Sequence, residues 1–222
     1  DGTQQCVITD PQGNEHKLVL PMPGRFNVAN ALVALAVSEL AGLPIEDALA
    51  GIAHVVVPGR LQRIDEGQDY LAIVDYAHKP AAVAAVIATL RSEIKGRLCV
   101  VLGAGGDRDA SKRAIMGREA ARGSDLFIVT DDNPRSEDPA VIRAAVEAGA
   151  YELPTEERGE VRNIGDRAAA IRAAIAWAEP GDAVLVAGKG HETGQNVNGV
   201  IHHFDDREEV RAALQERRTS SL

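Results

Sequence analysis

The 222-residue chain carries a formal net charge of −9, with 45% hydrophobic and 26% charged residues. That acidic balance offers no basic face to nucleic acid or an anionic membrane, so neither is expected as a partner. Cys6 and Cys99 lie in apolar runs without metal-ligand spacing to His, as reduced packed thiols do. With no signal peptide and no long apolar span, the expected location is the cytoplasm.

In chain order, Gln5-Cys6-Val7-Ile8-Thr9 and His16-Lys17-Leu18-Val19-Leu20 flank Asp10-Pro11-Gln12-Gly13-Asn14, the pattern of a β-hairpin. A helix over Phe26 to Leu40 is apolar on most faces and should be well buried; Gly42-Leu43-Pro44 ends it before a short helix from Ile45 to Ile52. The chain opens at Asp1-Gly2-Thr3 without Met. Residues 1–56 hold too little to close a core around and read as the tail of a domain that starts earlier. The boundary is placed at Val56, beside Pro58-Gly59, so residues 57–222 form the second domain.

From there strand and helix patterns alternate. Strand runs are Arg63-Ile64-Asp65, Leu71-Ala72-Ile73-Val74, Leu98 to Leu102, Leu126 to Val129 and Ala183 to Val186. Ala-rich helical runs cover Pro80 to Ile94, Ser111 to Arg122, Pro139 to Ala148 and Asp166 to Ala178. This alternation predicts an α/β fold with a Rossmann-like, mostly parallel sheet. Ile201 to Phe204 reads as a last edge strand, and Asp206 to Arg217 as a closing helix capped by Asp205 or Asp206.

Ligands of open α/β sheets bind beyond the carboxyl ends of the strands. The loop there after Leu126–Val129 is Thr130-Asp131-Asp132-Asn133-Pro134-Arg135, followed by Asp138 and Pro139 as a helix start. Asp75-Tyr76-Ala77-His78-Lys79 follows the second strand; either Asp75 grips ribose hydroxyls and His78 and Lys79 meet phosphate, or Asp75 merely caps the helix and His78 is solvated. Gly103-Ala104-Gly105-Gly106-Asp107-Arg108 lacks the GxGxxG spacing; Asp107 and Arg108 either pair with each other or read a zwitterion. Gly188-Lys189-Gly190-His191-Glu192 has Gly190 where a phosphate loop has Ser or Thr, and no GxxxxGK[ST] occurs in the chain. Arg108 and Arg135 suit carboxylates, Glu192 suits an ammonium, and an amino acid would satisfy them together with Asn133. An internal salt-bridge network across these loops is the alternative.

Six segments then carry a resemblance: Pro23-Gly24-Arg25-Phe26-Asn27-Val28-Ala29-Asn30, Pro58-Gly59-Arg60, Asp75-Tyr76-Ala77-His78, Gly105-Gly106-Asp107-Arg108-Asp109, Asp132-Asn133-Pro134-Arg135 and Gly188-Lys189-Gly190-His191-Glu192. Together they resemble the late-central and C-terminal signatures of the Mur ligase family, specifically its diaminopimelate-adding members, over the chain from Gly24 onward. The resemblance implies that ATP phosphorylates the D-glutamate side-chain carboxylate of UDP-N-acetylmuramoyl-L-alanyl-D-glutamate, and that the amine of meso-diaminopimelate attacks the acyl phosphate. It implies a nucleotide site at Asn27, Asn30, Arg60, Asp75, His78 and Lys79, where Lys79 replaces the more usual Thr or Asn. It places diaminopimelate at Arg108, Asp132, Asn133, Pro134, Arg135, Gly188 and Glu192. The family's phosphate loop and Mg²⁺ ligands would lie upstream, residues 1–56 would close the central ATP-binding domain, and this chain alone should not turn over. The Asp-Asn-Pro-Arg form marks diaminopimelate rather than lysine enzymes, because lysine leaves Arg135 without a second carboxylate. A bond so lost is worth roughly 10⁴-fold in discrimination. A lysine-adding or folylpolyglutamate-type ligase, and a non-catalytic amino-acid-binding module, are the competing readings.

Overall fold

In the computed structural model, which describes residues 3–220, β1 (Gln4–Thr9) pairs antiparallel with β2 (Glu15–Leu20). The Asp10 carboxylate holds their turn by accepting from the amides of Gln12 and Asn14, at 2.9 and 2.8 Å. This hairpin with α1 (Arg25–Leu40) and α2 (Ile45–Ile52) forms one of two units, Asp1–Val57; the other is Pro58–Leu222. Leu18, Leu20, Ala31, Leu35, Ala48 and Leu49 are the small core of the first unit.

α1 corrects one expectation. It is not well buried: Asn27, Ala31 and Leu35 are covered, whereas Val33, Val37 and Leu40 are exposed. Residues four apart drift only slowly around a helix, so α2 and the hairpin cover one narrow stripe and leave the other apolar faces in solvent.

The second unit is the α/β sheet expected from the alternation. Its strands are β3 (Gln62–Arg63), β4 (Leu71–Asp75), β5 (Leu98–Leu102), β6 (Leu126–Val129), β7 (Glu160–Asn163) and β8 (Ala183–Ala187). They lie in the order β3-β4-β8-β5-β6-β7, with β3 antiparallel and the others parallel. The helices α3 (Pro80–Glu93), α4 (Lys112–Gly123) and α5 (Pro139–Tyr151) pack on one face, and α6 (Arg167–Trp177) and α7 (Asp206–Ser220) on the other. Strand residues alternate between the two cores: Leu98, Val100 and Leu102 face one, Cys99 and Val101 the other. Burial on both faces is why these strands read as unbroken apolar runs. Burial also pushes the Cys99 thiol pKa well above its usual value.

Two elements differ from expectation. Val200–His203 is not an edge strand of the main sheet; this strand, β10, pairs antiparallel with β9 (Gly194–Val197) in a separate hairpin. Its turn is Asn198-Gly199, both at positive φ (51° and 81°), the conformation that an Asn-Gly pair adopts with least strain. β7, Glu160-Val161-Arg162-Asn163, was not expected. As an edge strand that is no more than half-buried, it lacks the apolar run that marks its neighbours.

Candidate functional site

β4, β8, β5 and β6 are parallel neighbours, so their carboxyl ends open on the same edge of the sheet. The four loops that leave them line one cleft of about 290 Å³, whose walls include Tyr76, His78, Arg108, Lys112, Asp132, Asn133, Arg135, Gly188 and Glu192. Residues far apart in sequence therefore meet here for a topological reason: β8 is inserted between β4 and β5.

The loop after β6 carries most of the polar wall. The Thr130 hydroxyl and the Asp131 amide both donate to the Gly165 carbonyl at 3.1 Å, and the Asp131 carboxylate is ion-paired with Arg143. Asp132 and Asn133 are buried. Asn133 Nδ2 donates to Glu192 Oε2 at 2.9 Å and to Asp132 Oδ1 at 3.0 Å. Its Oδ1 accepts from the Asn196 amide at 2.9 Å. Arg135 has φ 53°, a left-handed conformation rare for a long side chain and costing of order 1–3 kcal/mol. β9 and its turn hold it there: the Arg135 amide donates to the Asn196 carbonyl at 3.0 Å, and the Asn198 amide donates to the Arg135 carbonyl at 2.7 Å. Arg135 Nη1 donates to the Gly106 carbonyl at 2.6 Å.

The loop after β5 packs against this one. The Gly106 amide donates to the Asn133 carbonyl at 2.9 Å, and a Cβ on Gly106 would stand 1.9 Å from the Pro134 carbonyl oxygen. Only glycine permits that approach. Asp107 and Arg108 do not pair with each other. The Asp107 carboxylate accepts from the Ser136 hydroxyl at 2.7 Å and from its amide at 3.2 Å, while the hydrogen bond of exposed Arg108 among the described residues is a 3.4 Å contact to the Asp107 carbonyl. Arg113, buried below, donates to both oxygens of Glu137 (2.9 and 2.8 Å), and that bond holds the Glu137 pKa below its usual value.

The loop after β8 brings in Gly188 at φ 116°, where a Cβ would stand 2.7 Å from Asp132 Oδ2. Lys189 is fully buried and binds protein atoms, Glu192 Oε2 among them at 3.1 Å. Beneath both loops lies Arg167, also fully buried. It donates to both oxygens of Asp206 (2.7 and 2.8 Å), to the Ala187 carbonyl at 2.9 Å and to the Asp131 carbonyl at 3.3 Å. Burial opposes its charge, but the Asp206 carboxylate outweighs that, and its pKa lies above the ordinary value.

At the end of β4, Asp75 is 6% exposed and accepts from the amides of Leu61 (2.7 Å) and Ala77 (2.8 Å). Burial raises its pKa, with these bonds opposing. Asp75 does not cap the helix that follows, whose N-cap is Lys79; its carboxylate fastens the Leu61 and Ala77 amides instead. His78 Nδ1 meets the Tyr76 carbonyl at 2.9 Å, Lys79 is exposed at the N-cap of α3 without a side-chain capping bond, and the Arg60 guanidinium lies 4.4 Å from the Tyr76 ring centroid.

Of the residues singled out in the sequence, Arg108, Asp132, Asn133, Arg135, Gly188, Glu192 and His78 line the one cleft. Pro134 is buried behind it, shaping the backbone, and Arg60, Asp75 and Lys79 are not on its wall. Asn27 and Asn30 belong to the first unit, where Asn27 Nδ2 donates to the Pro23 carbonyl at 2.7 Å. Sequence reasoning missed Tyr76, Lys112, Lys189 and the Arg167–Asp206 pair. The Asn198-Gly199 turn would have announced the β9–β10 hairpin that supports Arg135; nothing local announces a pair 39 residues apart.

A family model described as Mur ligase, glutamate ligase domain, matches residues 59–190. The chain is 59% identical to a UDP-N-acetylmuramoyl-L-alanyl-D-glutamate–2,6-diaminopimelate ligase of Corynebacterium glutamicum over 100% of its own length and 43% of that relative's. It is 62% identical to the ligase of that name from Corynebacterium efficiens, over 96% of this chain and 41% of the relative. A solved structure of a ligase of the same name, 38% identical, superposes with a TM-score of 0.70 over 96% of this chain and 43% of that one. The chain thus spans less than half the length of these relatives. With the matched segment, Gly59 to Gly190, covering more than half of its length, the chain belongs to the Mur ligase family.

Proposed function

We propose that the cleft binds meso-diaminopimelate, and that this chain is the amino-acid-delivering part of a ligase that joins it to UDP-N-acetylmuramoyl-L-alanyl-D-glutamate. One observation carries the reading: Arg108, Lys112 and Arg135 face the same cleft as Glu192, and among the described residues none of the three cations makes a salt bridge to a carboxylate, Asp109 acting on Lys112 only from a distance. An internal salt-bridge network would have paired them. Two guanidinium groups match the two carboxylates of diaminopimelate, and Glu192 matches an ammonium. The relatives' names give the same substrates.

ATP supplies the phosphoryl group that activates the acceptor carboxylate. Arg60, His78 and Lys79 fit its phosphates, since none makes a salt bridge to a carboxylate among the described residues, Asp75 acting on Arg60 only from a distance. Asp75 fits the ribose least well, with two backbone amides already on its carboxylate. Mg²⁺ is assigned mainly to the upstream part of the ATP-handling domain. Residues 1–56 are read as part of the ATP-handling domain. The chain's own work is to bind and orient the amino acid: the arginines fix its carboxylates and Glu192 one amine.

Calorimetric titration of the 222-residue chain tests this. Meso-diaminopimelate should bind at least about 100-fold more tightly than L-lysine, because lysine leaves a guanidinium unmatched. Equal affinities would overturn the reading. The chain, which has no GxxxxGK[ST] loop, should form no tripeptide from ATP and both substrates. Turnover by the chain alone would refute that part.

A further inference from the structure

We propose that Lys189 is a positioning residue, one that never meets the ligand but locks Glu192 and Asn133 in the orientation that receives its ammonium; this rests on the amino-acid reading of the cleft. The Lys189 side chain is fully buried, and its ammonium makes three bonds, to the Gly194 carbonyl at 2.7 Å, Glu192 Oε2 at 3.1 Å and Asn133 Oδ1 at 3.4 Å. Three donors and three acceptors leave the charge nothing further to offer a ligand. Gly194 begins β9, so the ammonium is tied to a strand rather than to a free loop.

Two consequences follow for the cleft wall. Asn133 Oδ1 takes both Lys189 and the Asn196 amide, so the side-chain amide cannot flip, and its NH₂ is committed to Glu192 and Asp132. Glu192 Oε2 takes both Lys189 and Asn133, whereas Oε1 has no donor among the described residues. A carboxylate held by one oxygen presents the other in a fixed place, which spares the ligand the cost of ordering it. Without the lysine charge, Glu192 Oε2 keeps only its bond from Asn133, and the carboxylate is held by one neutral donor instead of by an ammonium as well.

The test is a double-mutant cycle on the 222-residue chain, read by calorimetry with meso-diaminopimelate. Lys189→Met and Glu192→Gln should each weaken binding roughly 10- to 100-fold. Acting through Glu192, Lys189→Met should cost no more than about threefold in the Glu192→Gln background, whereas independent losses would multiply to within about twofold. Should Lys189→Met not fold, the ¹⁵N resonance of the Lys189 ammonium in the unaltered chain must shift as diaminopimelate saturates Glu192. Unchanged affinity in Lys189→Met, fully multiplying losses, or an unmoved ¹⁵N resonance would overturn the inference. Arg135→Ala separates it from the underlying reading. If Arg135→Ala and Glu192→Gln weaken binding while Lys189→Met does not, the lysine inference alone falls; if none weakens it, the assignment of the cleft falls with it.

Discussion

Replacing Asp206 by Asn probes the joint on which the cleft is built. Arg167 and Asp206 have no exposed side-chain surface, and Asp206 supplies the only carboxylate bonded to that guanidinium among the described residues. Asp206→Asn keeps the shape but leaves a buried cation without a bonded carboxylate, Asp132 and Glu192 acting only from a distance, which costs about 3–5 kcal/mol. The stability of a domain of this size is about 5–15 kcal/mol, so about a fifth or more of it is at stake. With an m-value of about 2 kcal/mol per molar urea, the unfolding midpoint should drop by about 1.5–2.5 M. Trp177, the single tryptophan, sits in α6 with the Arg97 guanidinium 4.2 Å from its ring centroid, so its fluorescence reports this unit directly. Replacing both partners by Leu should cost less than Asp206→Asn, because no charge is then stranded. A shift below about 0.5 M for Asp206→Asn would refute the argument: it would mean that water reaches the guanidinium and that the pair does not hold the loops after β6 and β8.

Arg135→Ala should weaken diaminopimelate binding about 10- to 150-fold while leaving lysine binding within a few-fold, as charge-assisted bonds of 1.5–3 kcal/mol require; calorimetry that finds both ligands equally affected would place Arg135 outside the carboxylate contacts. Gly117→Ala should destabilise the second unit by at least about 2 kcal/mol, because its Cβ would stand 1.8 Å from the Val146 carbonyl oxygen where α4 and α5 touch. Gly51→Ala, whose Cβ would meet nothing within 4 Å, should instead stabilise α2 by about 0.5–1 kcal/mol, and urea melts compare the two. His16 sits between Asp10 (3.1 Å) and Glu46 (3.3 Å), and the bond to Asp10 first, then Glu46, raises its pKa. A raised histidine pKa stabilises the fold fully below the unfolded value near 6.5 and ceases to do so as pH climbs through the folded one. Hydrogen exchange of the β1–β2 amides should therefore be slower at pH 6 than at pH 8.5 after correction for intrinsic rates. His16→Ala should abolish that difference, and a difference that survives the substitution would point to another group.

The sheet was legible because parallel strands buried on both faces carry an unmistakable signal: Leu98 to Leu102 and Ala183 to Ala187 are apolar at every position. Asp138 as the N-cap of α5 was equally local, and its carboxylate accepts from the Ala140 amide at 2.8 Å. In the strand-end loops Arg108, Arg135, Asn133 and Glu192 stood out as polar groups suited to an amino acid, and the structure brings all four to one cleft. Glu160 to Asn163 was not legible, because an edge strand needs no apolar run, and neither was the exposure of α1, because periodicity reports which faces are apolar and not how much of the molecule is there to cover them. What the amino-acid order determined by itself was local: strand, helix, turn and the charges placed at strand ends, each set by steric and hydrophobic preferences within a few residues. Tertiary structure alone decided that β8 enters between β4 and β5, so that Glu192 meets Asn133 and Lys189 spends its charge inside the protein. Long-range pairing is chosen by the burial of whole faces, and no stretch of sequence carries that choice on its own.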